Sequence, residues 1–149
     1  MSLPYSLNLP LRSQIIEHML EQIDSVVMSS DPFPHIALAE FFPADVYEQM
    51  LAQFPPLAQF EAFHYHKHHR HDGASNRRRF VFDNAWLLKL DRPGQNLGLA
   101  VRSALGSPEV KQALFRKLAP GLTFRFGGKL ADAAALPGFA LPELFHETS

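Results

Sequence analysis

A chain of 149 residues with 46% hydrophobic content is long and apolar enough to build one real core, and residues 1–149 are read as a single domain. No cysteine is present, which excludes disulfides, thiolate metal sites and a cysteine nucleophile, and fits a reducing compartment. The net charge of -1 conceals a split: residues 1–61 hold one basic and eight acidic residues, the remainder thirteen basic and seven acidic. No stretch approaches the ~20 apolar residues that cross a bilayer. No basic segment followed by an apolar one opens the chain, so a cytoplasmic location is expected.

The first element is a helix over about residues 12–28. Ile15, Ile16, Met19, Leu20, Ile23, Val26 and Val27 recur at helical spacing and make one apolar stripe, with Glu17, Glu21 and Asp24 mainly opposite. Ser29-Ser30-Asp31-Pro32 ends it. Residues 33–38 then read as a short strand leaving a proline turn. Pro43 suits the first turn of a second helix, whose buried face would be Val46, Tyr47, Met50, Leu51 and Phe54, and Pro55-Pro56 stops it.

Residues 61–79 lack a helical stripe and are strongly polar, which predicts an excursion from the core. Residues 79–83 alternate and predict a strand. A helix over about 96–105 would bury Leu97, Val101, Ala104 and Leu105, with Gly106 as its stop. Ser107-Pro108-Glu109 supplies a cap, a first-turn proline and an acidic residue for the next helix. Its stripe would be Val110, Ala113, Leu114 and Leu118, closed by Pro120. Leu122, Phe124 and Phe126 alternate with Thr123 and Arg125 and predict another strand, before an Ala-rich, proline-broken stretch over 131–149.

The most unusual composition lies in residues 64–72, where His64, His66 and His68 share one face if the segment is extended. Imidazoles so placed suit zinc, nickel or copper. Lys67 and Arg70 would oppose the ion's charge, and no ligand from a separate element is identifiable. Adventitious metal binding is therefore the expectation. Arg77, Arg78 and Arg79 are candidates for a substrate cleft, because a guanidinium fork donates two parallel hydrogen bonds to phosphate or carboxylate. The plainer reading is a solvated strand edge that deters edge pairing. Arg125 is a weaker cleft candidate on the strand expected there. Nucleic acid is not an expected partner, given the negative net charge and the lack of an aromatic platform or helix-turn-helix. The G-x-S-x-G, G-x-x-x-x-G-K and H-E-x-x-H templates are all missing; Phe126-Gly127-Gly128-Lys129 lacks the context of a phosphate cradle.

Pro32-Phe33-Pro34-His35-Ile36, followed by Phe41-Phe42-Pro43-Ala44-Asp45-Val46-Tyr47, resembles bacterial iron(II)- and 2-oxoglutarate-dependent oxygenases of the prolyl-hydroxylase-like type. Ser107-Pro108-Glu109-Val110-Lys111, Ala113-Leu114-Phe115-Arg116-Lys117 and Pro142-Glu143-Leu144-Phe145 extend the resemblance over most of residues 31–149. These motifs are structural. The resemblance implies an α+β fold: helices packed on part of an antiparallel sheet, the start of a double-stranded β-helix, or jelly roll. It also implies Fe(II) held by His-x-Asp/Glu and a distant His, with a basic residue for the far carboxylate of 2-oxoglutarate. The reaction would be hydroxylation of an unactivated C–H bond.

None of these ligands maps onto the chain. None of the eight histidines has Asp or Glu two positions later, and adjacent His71-Asp72 would point to opposite faces of a strand. The family's segment like 142–149 comes shortly before the first iron ligand. The expectation is therefore an N-terminal supporting region of an oxygenase, inactive alone, whose partner is a C-terminal catalytic portion. No catalytic, cofactor or metal residue is assigned. The rival from another class is a non-catalytic interaction or metal-handling module working through residues 64–72.

Overall fold

The computed structural model describes residues 7–62 and 77–126, with side chains as far as residue 121. Helix α1, Leu9–Ser25, begins a turn earlier than its stripe suggested, because Asn8 and Pro10 together start it. The Asn8 side chain accepts the Leu11 N–H at 3.1 Å, and proline at the second position gives up an N–H that has no helical partner there. Ile15, Ile16, Met19 and Ile23 are buried as expected. Val26 turns to extended backbone and Val27 is 85% exposed, so neither belongs to the stripe.

Residues 33–38 do not form the expected strand. The segment makes one antiparallel bridge, in which Ser29 and His35 exchange backbone hydrogen bonds of 2.8 and 2.9 Å. Pro32 and Pro34 fall between the two bridged residues, in the reversal itself. Helix α2, Ala44–Ala52, follows Pro43 and buries Val46 fully. Tyr47, Leu51 and Phe54, expected on its buried face, are all more than half exposed. Leu57–Gln59 adds a 3-10 turn.

Strand β1, Glu61–Ala62, pairs antiparallel with β2, Arg78–Arg79. The two ends of the polar excursion are thus joined; residues 63–76, including the histidine tract, lie outside the described residues. This pair is the sheet of the described residues, and the secondary structure is mixed: mainly helix with a small two-stranded antiparallel sheet. The expected strand over 79–83 is cut short because Asp83 caps a further helix, α3, Asn84–Leu87, with its carboxylate accepting the Trp86 N–H at 2.9 Å.

Helix α4, Arg92–Leu105, starts four residues before the predicted 96, since Asp91 accepts the Gly94 N–H at 2.9 Å and Pro93 lies in the first turn. Leu97, Ala100, Val101 and Ala104 are buried; Leu105, expected inside, is exposed. Gly106 ends the helix with φ of -83°, so its role is not that of a left-handed cap. Replacing Asp91 by alanine should lower stability by about 1 kcal/mol in urea unfolding, as for other side-chain caps.

Helix α5, Pro108–Phe126, opens at buried Ser107, whose Oγ accepts the Val110 N–H at 3.3 Å. It does not close at Pro120. The helix runs through the proline, so the predicted strand over 122–126 is helical. A proline inside a helix forfeits a hydrogen bond and crowds the preceding turn, at a cost of about 3 kcal/mol. Packing on both sides of the break offsets it: Phe115 and Ala119 are buried, and Gly121 lies so close to Pro34 that an added Cβ would meet the ring at 2.5 Å. The stretch over 131–149, including residues 142–145 of the resemblance, lies outside the described residues.

Helix α1 packs on both α4 and α5, and these three supply most of the core. Two long side chains tie α1 to its neighbours. Arg12 Nε donates to Ser103 Oγ at 2.7 Å on α4, and Lys117 Nζ of α5 donates to the Asp24 carbonyl at 2.7 Å. His18 Nε2 donates to the Glu40 carbonyl at 2.7 Å, fixing the loop before α2. Among the described residues no helix is long and apolar enough to cross a membrane.

Candidate functional site

The β1–β2 register pairs Glu61 with Arg79 and Ala62 with Arg78, so its next step sets Phe60 beside Phe80. Their ring centroids are 5.3 Å apart. From there the aromatic contacts continue in both directions. Phe54 lies 6.0 Å from Phe60, Phe80 meets Trp86 edge-on at 5.1 Å, and Phe82 meets the same indole at 5.1 Å. Phe80 and Phe82 are two apart on extended chain and face the same side, while Val81 between them is 54% exposed. The alternation predicted over 79–83 therefore selects faces correctly even though only its first residue is in a strand.

These rings form one wall of a cavity of about 260 Å³. The opposite wall is α4, where Gly94 and Gly98, four residues apart, leave its backbone bare beside Leu97 and Val101. Glycine at 98 permits a close approach: a Cβ there would meet Leu87 Cδ2 at 2.3 Å unless that side chain moved. Gln53 is the one polar side chain in the wall among the described residues. Among the described residues the wall thus offers shape and apolar contact and supplies no nucleophile, general base or metal ligand. Among the described residues no group of three His, Asp or Glu side chains is placed to hold a metal ion.

The sequence-predicted site residues lie elsewhere. Arg77, Arg78 and Arg79 are exposed at the edge of the small sheet and do not line the cavity. Arg79 Nη2 contacts Glu61 Oε2 at 3.3 Å, with both side chains more than half exposed, which fits the solvated-edge reading. Glu61→Gln should change stability by less than about 0.5 kcal/mol in denaturant titration, because exposed ion pairs contribute little. Arg125 sits on α5 instead of a strand, and its side chain is outside those described. The cavity itself was missed. Its one legible signal was the Gly94 and Gly98 spacing within an otherwise helical pattern; the rings come from loops and the short α3, which sequence periodicity does not bring together.

No family model, curated protein or solved structure matches the chain.

Proposed function

We propose that this chain is a non-catalytic supporting region of an iron(II)- and 2-oxoglutarate-dependent oxygenase, the part that precedes and braces the jelly roll. The observation that carries the reading is the ordered series of motifs at residues 32–36, 41–47, 107–117 and 142–145. It is supported by a helical core formed by α1, α4 and α5 that needs no iron ligands for its own packing. It is supported also by the large apolar side chains Tyr47, Leu51, Phe54 and Leu57, each more than half exposed, which a further layer of sheet would bury. In this reading Fe(II) and 2-oxoglutarate bind to a C-terminal catalytic portion. The Arg77, Arg78 and Arg79 edge borders the substrate entrance.

The same exposed apolar side chains favour a second reading, a non-catalytic interaction module that docks on another protein. The coding sequence beyond Ser149 separates the two. A His-x-Asp or His-x-Glu soon after it, then a distant His and an Arg or Lys, supports the oxygenase. A stop codon at that point, with a stable and monodisperse product, supports the interaction module and removes the first reading.

A further inference from the structure

We propose that the aromatic cavity between β2, α3 and α4 is a binding site for a small, neutral, apolar molecule of the alkyl-aromatic class. Size sets the first limit. A dry cavity of roughly 150 Å³ lined by apolar side chains accepts benzene, so one of about 260 Å³ accepts a molecule of about ten non-hydrogen atoms. Wall chemistry sets the second. Phe60, Phe80, Phe82 and Trp86 present ring faces and edges at tilted angles, a surface that suits another ring in an edge or offset arrangement. A charged ligand would lose its hydration without gaining a partner, because Gln53 is the lone polar side chain there among the described residues.

The cavity is held open by the scaffold. Leu87 is fully buried against the bare backbone at Gly98, so α3 is seated directly on α4 and carries Trp86 with it. Phe54, 65% exposed, stands at the rim, where a ligand would cover it. This site does not rest on the oxygenase reading, since neither its wall nor its ligand involves iron.

Trp86 is the chain's one tryptophan, so its emission reports on this cavity directly. The full 149-residue chain is titrated with n-butylbenzene, and in parallel with 3-phenylpropanoate, a carboxylate of nearly the same size. The expected result is a saturable, one-to-one change in Trp86 emission with n-butylbenzene and binding at least about tenfold weaker for the carboxylate. Phe54→Ala, which removes an exposed ring and should leave circular dichroism unchanged, is expected to weaken n-butylbenzene by about two- to tenfold. A non-saturating response, equal affinity for the carboxylate, or an affinity indifferent to Phe54 in a folded variant would each overturn the assignment.

Discussion

Met19→Ala is expected to lower the unfolding free energy by about 2–5 kcal/mol, the range for removing a buried methionine and leaving a void. Met19 has no solvent exposure and lies midway along α1, the helix that both α4 and α5 pack against. Its neighbours on that helix, Ile15, Ile16 and Ile23, are held in the same core and cannot easily shift to fill the space. For a chain of this length, each 1 kcal/mol moves the melting temperature by about 2–4 °C. The matched control is Val27→Ala. Sequence periodicity assigned Val27 to the same stripe, yet it is 85% exposed, so its substitution should stay within about 0.5 kcal/mol. Urea titration of the pair checks both; similar losses at the two positions would contradict the observed packing of α1.

Gly98→Ala is the second large effect. In an ordinary helix interior this change gains about 1 kcal/mol, because glycine is the poorer helix former. Here the added methyl would lie 2.3 Å from Leu87 Cδ2, the end of a fully buried side chain that must change rotamer to admit it. Overpacking of this kind costs about 1–3 kcal/mol, which cancels the helix-propensity gain and leaves a net loss of about 0–2 kcal/mol. A double-mutant cycle isolates the cause. Leu87→Ala alone should be destabilising by about 2–5 kcal/mol. In that background the methyl at position 98 enters vacated space, and the penalty of Gly98→Ala should shrink by about 0.5–3 kcal/mol. Strict additivity would mean that the two residues do not meet.

How far the fold was legible follows from what each signal measures. The stripe of α1 was legible because four buried residues recur at helical spacing, and Ser107-Pro108-Glu109 marked the start of α5 because capping is local chemistry. Helix ends were misplaced where side-chain caps lay upstream of the apolar stripe, at Asn8 and Asp91. The strand predicted over 122–126 failed for a different reason. A five-residue alternation is weak against a helix already nucleated and anchored by Phe115 and Ala119, even with a proline between. The strand expected over 33–38 is reduced to the single bridge of His35 with Ser29. As to the site, the exposed arginines were legible as an edge, but the cavity was not. It depends on Phe54, Phe60, Phe80 and Trp86 meeting across loops and a two-residue ladder, which no periodicity encodes.

A supporting region holds no iron and 2-oxoglutarate site of its own. Tag-free protein of residues 1–149 is titrated anaerobically with Fe(II) in the presence and absence of 2-oxoglutarate, then exposed to oxygen and assayed for succinate. The account predicts no iron binding that depends on 2-oxoglutarate and no succinate above the protein-free control. A stoichiometric complex requiring both, with turnover of 2-oxoglutarate to succinate and carbon dioxide, would contradict it.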